Sequence, residues 1–226
     1  MAEQERGIRT RRTILLAAAK VFEERGYQTA RISEILSEAG VTKGALYFHF
    51  QSKDELAQGV LSAQEQSLVI PDRASKVQEI VDIVMLHTYR LQNDPMVRAG
   101  VRLTMDQLAH ELDRSGPFRS WAAPVRDRLE KARAQGELLP HIETGETADV
   151  IVGTYAGIQS MSQALSDYRD LVRRVTILLR HLLPSIVQSS VLASVDMTES
   201  RAASVYAEAV EYSQRISAAE AVEAVA

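Results

Sequence analysis

Between Thr42 and Lys53 the sequence gathers Lys43, Tyr47 and His49 around Gly44 and Ala45, with Lys53 closing the group. An ammonium, a phenol and an imidazole are hydrogen-bond donors. Donors at helical spacing suit an acceptor-rich partner, such as the phosphates and base edges of double-stranded DNA. Gly44 has no side chain, so the backbone there can approach a groove closely. Thr42 and Lys53 stand where two helices would begin, and helix N-termini favour phosphate. Arg9, Arg11 and Arg12 form a cationic run near the start of the chain that fits phosphates or the minor groove. The plainer readings are a helical corner and a solvated charge run, and periodicity alone leaves both open.

Other chemistries find little support. The chain has no cysteine, which removes disulfides, thiolate catalysis and cysteine metal sites. Its five histidines, His49, His87, His110, His141 and His181, show no carboxylate pairing of the kind that holds a metal. There is no nucleophile elbow and no glycine-rich phosphate loop, so neither an enzyme nor a cofactor is expected. Trp121, the single tryptophan, falls on an apolar helix face with Tyr89, Tyr155 and Gln159 on others. The ordinary reading of each is a packed aromatic or a satisfied buried polar group, and Gln64 reads as a solvated residue.

Charge is distributed unevenly. Residues 1–53 hold nine Lys and Arg against six Asp and Glu, a net +3, leaving −7 on the remainder of a chain whose total is −4. A basic head on an acidic body confines phosphate contacts to the first quarter. No window approaches the roughly 18 consecutive apolar residues of a membrane span. The polar start lacks an apolar signal core, so a cytoplasmic protein without a membrane partner is expected.

The elements that must position these residues are helices. Ile14, Ala17, Ala18, Val21 and Phe22 stripe a first helix, about 10–25, that Gly26 closes. A second, about 31–39, buries Ile32, Ile35, Leu36 and Ala39, and Gly40-Val41 turns the chain into a short third helix, Lys43 to Phe48, capped by Thr42. Its inner face is read as Ala45, Leu46 and Phe48, which turns Lys43, Gly44, Tyr47 and His49 outward. Ser52 with Glu55 reads as a capping box for the fourth. Helical periodicity continues through a fifth (Val77, Ile80, Val81, Val84, Leu91), a sixth running to about Asp113, and a seventh that opens after Ser115-Gly116-Pro117 and holds Trp121. The eighth, about 146–166, is apolar nearly all round and is expected to be central. A ninth starts near Tyr168 and is kinked or ended by Pro184, residues 194–214 form one more, and the tail after Ile216 is expected to fray. No strand alternation of useful length is present.

The run Ala39-Gly40-Val41-Thr42-Lys43-Gly44-Ala45-Leu46-Tyr47-Phe48-His49-Phe50, followed by Ser52-Lys53 and Leu56, resembles the signature of tetracycline-repressor-type (TetR) regulators. The likeness reaches back through Ile14, Ala17-Ala18, Phe22 and Gly26-Tyr27 to Ile32 and Ile35. Beyond it, Asp94-Pro95, Arg98-Ala99-Gly100, Arg102-Leu103, Pro117-Phe118, Trp121, Gly157, Gln159, Ser162 and Asp170-Leu171 are similar to the γ-butyrolactone receptor-like branch of that family. The resemblance implies that the second and third helices form a helix-turn-helix with the third as recognition helix. It implies that Trp121 packs on a bound ring, and that Gln64 lies in a region under the pocket.

The expectation is therefore an all-α protein: a helix-turn-helix DNA-binding domain over residues 1–53, a linking helix over about 53–69, and a ligand-binding and dimerisation domain over 70–226. It would act as a homodimer on a pseudo-palindromic operator and be released by a small lactone-, butenolide- or furan-like inducer. The alternative is a pseudo-receptor of the same family that answers to an antibiotic or pathway intermediate.

Overall fold

The computed structural model describes residues 2–64, 68–105 and 115–223, and these are helical as expected. The helices are α1 (Ala2–Arg25), α2 (Ile32–Ala39), α3 (Lys43–His49), α4 (Lys53–Gln64), α5 (Lys76–Asn93), α6 (Pro95–Met105), α7 (Ser115–Ala134), α8 (Thr144–Ser166), α9 (Leu171–Leu182), α10 (Ser189–Leu192) and α11 (Arg201–Glu223). An isolated antiparallel bridge between Leu138 and Val187 is the sole extended pairing among the described residues. The end expected for the sixth helix, near Asp113, lies outside them.

The chain forms two compact units, Met1–Ser67 with Asp94–Phe118, and Leu68–Asn93 with Arg119–Ala226. In the first, α1 packs against α2, α4 and α6. The predicted stripe of Ile14, Ala17, Ala18, Val21 and Phe22 is buried, together with Ile35, Leu46, Phe50, Leu56 and Val60. Helix α6 follows the linking helix in sequence, yet it packs here because Ala99 and Leu103 complete this core. Arg98 Nε donates to a Glu23 carboxylate oxygen at 2.5 Å, and Arg102 donates to the Glu23 carbonyl. Gly59 allows close approach of α4: a Cβ there would stand 2.8 Å from Leu15 Cδ2 and 3.1 Å from Phe50 Cε1. The expected capping box of α4 is displaced by one residue. Ser52 Oγ accepts from Glu55 N–H at 3.0 Å, while the Glu55 carboxylate accepts from Gln51 N–H at 2.6 Å.

In the second unit α5 is the hub, packed against α9 and α11. Val77, Ile80, Val81, Val84 and Leu91 are buried as predicted. Asp82, with no exposed surface, is held by Arg73 Nε at 3.0 Å and Arg201 Nη2 at 2.6 Å, and Arg201 Nη1 also reaches Glu208 at 2.9 Å. A buried carboxylate survives only with such partners. The last helix starts at Arg201 rather than near 194. The Asp196 carboxylate accepts from Thr198 N–H and Oγ1 in a local turn that competes with helix, and the helix then runs from Arg201 to Glu223.

Helix α8 is not central to the chain. Thr144, Ala148, Ile151, Tyr155, Gln159 and Ser162 form its single buried stripe, while Val150, Met161 and Leu165 on the opposite side are 50%, 48% and 67% exposed. Among the described residues no helix is long and apolar enough to cross a membrane.

Candidate nucleic-acid interface and sensing site

In the first unit, Gly40 closes α2 in the left-handed region (φ +63°), a conformation that favours glycine, and its N–H donates to the Leu36 carbonyl. The chain reverses and Thr42 caps α3, its hydroxyl accepting from Ala45 N–H at 3.2 Å. Leu46 and Phe50 fill the inner side of α3 at 0% and 1% exposure, with Ala45 half-buried beside them. Thr42, Lys43 and Gly44 are exposed, so the cap and first turn of the helix face outward.

Phe48 corrects the sequence reading. It stands 80% exposed rather than on the inner face, because two helical residues turn through about 200° and Leu46 already points inward. Its ring meets His49 edge-on at 5.1 Å. Tyr47, expected to point out, is half-buried against the core, and Lys43 Nζ stands 5.8 Å from the centre of its ring. Sequence reasoning missed Phe48 by sorting residues on polarity; a helical wheel anchored on Leu46 would have found it.

The remaining expected contacts are split. Arg9, Arg11 and Arg12 are exposed along the first half of α1, and the Arg11 guanidinium lies 4.9 Å from the centre of the Phe50 ring. Lys53 is half-buried, its ammonium donating to the Gln28 carbonyl at 3.1 Å over the Tyr27 ring at 4.6 Å. A phosphate at the start of α4 would share that ammonium.

In the second unit, Trp121 of α7, His87 of α5 and Tyr155 of α8 form an aromatic group. The His87 ring is 5.3 Å from the Trp121 ring and 5.4 Å from the Tyr155 ring, centre to centre. Burial pushes the His87 imidazole down to about 4, with the Arg90 charge adding to it, so the ring is neutral near pH 7. Burial also raises the Tyr155 phenol well above its ordinary value, against the opposing Thr88 hydrogen bond. Thr88 Oγ1 lies 3.2 Å from the Tyr155 hydroxyl and 2.7 Å from the Val84 carbonyl. Tyr89 belongs elsewhere: two residues from His87, it turns to the Tyr206 ring on α11 at 4.6 Å. The side chain of Gln64 lies outside the described residues.

Gln159, one turn beyond Tyr155 on the buried stripe of α8, overturns the expectation of a satisfied core amide. It has no exposed surface and neither end of its carboxamide has a hydrogen-bond partner. His87 was not singled out by the sequence reading as part of this group, since a lone polar residue on an apolar face carries no visible signal of what it meets.

Comparison with known proteins accords with this geometry. Residues 14–60 match the family model "Bacterial regulatory proteins, tetR family", and residues 74–188 match "Tetracyclin repressor-like, C-terminal domain". The A-factor receptor protein of Streptomyces griseus is 39% identical over 195 residues, 86% of this chain and 70% of the relative. Full-length native TylP, a TetR regulator from Streptomyces fradiae, superposes with a TM-score of 0.80 at 43% identity, covering 92% of this chain and 93% of that one. A γ-butyrolactone receptor described as ArpA-like superposes with a TM-score of 0.66 at 28% identity, covering 93% of this chain and 99% of that one.

Proposed function

Because the chain belongs to the TetR family of bacterial transcription regulators, we propose that it is a repressor whose α3 reads an operator as a dimer and whose second unit releases it when a small lactone-, butenolide- or furan-like molecule binds. Members of this family are DNA-binding regulators and not enzymes.

The observation that carries the reading is the exposed side of α3: Lys43, Gly44 and Phe48 stand clear of the core on a helix fixed by Leu46, Phe50 and the Thr42 cap. Lys43 offers three donors to base acceptors or phosphate. Tyr47, His49, Thr42 and Ala45 border that side, Lys53 marks the next helix N-terminus, and Arg9, Arg11 and Arg12 supply outlying charge for phosphates. Two such helices in a dimer would enter successive major grooves about 34–36 Å apart on a pseudo-palindrome.

For the inducer, Trp121 supplies a flat wall with the rings of His87 and Tyr155, an apolar surface with few polar fixtures of the kind that orients a small ligand. The relatives whose names include A-factor and γ-butyrolactone receptors support a lactone. The inducer releases DNA only if it binds the two states of the protein with different affinity.

Selection of bound fragments from a random duplex pool tests the first half: enrichment of an inverted repeat is expected, and no enrichment overturns it. A gel-shift release screen with lactones, butenolides, furans and antibiotics tests the second. Release by antibiotics alone would make the protein a pseudo-receptor.

A further inference from the structure

Among the described residues Phe48, at 80%, is the most exposed of the large hydrophobic side chains, ahead of Leu165 at 67% and Ile8 at 65%. Single exposed apolar residues are ordinary on a protein surface, but the neighbours of this one narrow its use. It stands on α3 four residues after Gly44, so the two share one face of the helix, a turn apart. Gly44 is exposed too, and a Cβ there would meet nothing within 4 Å, so the backbone at that turn borders open space. A helical side chain leans toward the turn that precedes it, so the Phe48 ring flanks that space. The His49 ring meets it at 84° and 5.1 Å, an edge contact that steadies the phenyl ring and leaves it exposed.

We propose that Phe48 is a specificity-determining residue that reads the C5-methyl group of one thymine in each half of the operator, with the methyl entering the space beside Gly44. This deepens the reading of α3 as the recognition helix and rests on it.

The chemistry of the groove leaves the ring few other partners. Donors and acceptors line the floor of the major groove, and a phenyl ring can pair with none of them. Phosphate oxygens flank the groove, and they favour donors such as Lys43 and the arginines of α1 over a ring without one. The thymine methyl is the apolar group that the major groove presents, and burying it against Phe48 takes apolar surface of both partners out of water. Such a contact tells a thymine from the other bases, which a phosphate contact does not. Gly44 fits the same account, because an alanine would place a methyl of the protein where the methyl of the base has to go. Lys43 and Phe48 then divide the reading: the ammonium takes base acceptors, as on guanine, and the ring takes the methyl.

The test uses the full-length protein and the duplex that wild type enriches from a random pool. Each thymine of one half-site, together with its symmetry mate, is replaced in turn by uracil, which deletes the methyl and keeps every hydrogen-bonding group. At one position the replacement should weaken wild type by about tenfold or more, the worth of one buried methyl in each of two half-sites. Phe48→Ala should bind the thymine duplex about as weakly as wild type binds that uracil duplex, and should not distinguish the two. Phe48→Leu, which restores an apolar side chain, should recover part of the preference. An equal loss in Phe48→Ala on thymine and uracil duplexes, with wild type indifferent to uracil at every position, would place the ring against the sugar–phosphate backbone and overturn the proposal. A Phe48→Ala variant that keeps the wild-type preference for thymine would overturn it equally. If wild type enriches no duplex at all, the recognition-helix reading fails and this proposal with it, whereas the other two outcomes leave that reading standing.

Discussion

Leu46 and Phe48, two residues apart on the seven-residue α3, face opposite ways: Leu46 has no exposed surface and Phe48 is 80% exposed. An exposed phenylalanine is an ordinary event on a protein surface, but here it shares a helix with Lys43 and Gly44, which are also turned from the core. Lys43→Ala and Phe48→Ala should each weaken operator binding, the lysine by about 1–3 kcal/mol if it reads a base. Neither should lower the melting temperature appreciably, because neither side chain fills the core. Gel shifts and thermal melts on the two variants decide it. Wild-type affinity in both would mean that α3 does not face the operator.

Gly44 sharpens the same argument. A glycine within a helix costs about 1 kcal/mol relative to alanine, and a Cβ at this position would meet nothing within 4 Å. Nothing in the fold asks for the glycine. Gly44→Ala should therefore stabilise the free protein by about 0.5–1 kcal/mol while weakening operator binding, if the backbone here sits close against a groove. A variant that gains stability and keeps full affinity would refute close approach at this turn.

The helix-turn-helix was legible because its parts obey local rules. Gly40 reverses the chain, Thr42 caps the next helix, and the stripe from Ile14 to Phe22 has the helical period. What escaped was set by direction and by distance along the chain. Phe48 was misassigned by polarity although its angle from Leu46 is fixed by the helix itself. The Arg73–Asp82–Arg201–Glu208 network joins residues up to 135 positions apart, and no window of sequence displays it. For the candidate sensing site, Trp121 was picked out as the sole tryptophan, but His87 becomes visible only once α5, α7 and α8 bring their rings together.

His87 predicts a pH dependence. Its folded value near 4 lies below the ordinary 6.5 of the unfolded chain, chiefly through burial. Between those values the unfolded chain binds a proton that the folded chain does not, so stability falls on acidification from 6.5 toward 4 and this contribution levels off below 4. The slope is worth up to about 3 kcal/mol across the window. Asp170, held down to about 2 by Ser162 and Ser166 hydroxyls and by Arg174, contributes mainly below this window and is common to wild type and a His87 variant. The melting temperature of wild type should fall relative to that of His87→Phe as the pH drops from 7 to 4, whichever protein is the more stable at neutral pH. Parallel curves would show that the imidazole protonates freely in the fold.

The apolar residues of α8 divide between two sides, and the outer one predicts the assembly. Val150, Thr154, Gly157, Met161 and Leu165 recur at helical spacing along one exposed stripe, and Ile177 on α9 is 44% exposed. Glycine and threonine within such a stripe let a second helix approach closely, while the larger side chains supply area whose burial contributes roughly 25 cal/mol per Å². Arg174 Nη1 lies 3.1 Å from Met161 Sδ, so a cation borders the stripe without interrupting it. Pairing α8 and α9 with their copies would cover this surface symmetrically, as most homodimers do. Leu165 is the place to test it, because it is 67% exposed and a substitution there leaves the chain's own core intact. Leu165→Asp should convert the dimer to a monomer at micromolar concentration and reduce operator affinity by far more than Lys43→Ala, since two half-sites would then be bound independently. Light scattering on wild type and variant, with circular dichroism to confirm retained helix, gives the answer. A dimer that survives the charge would move the interface to another face.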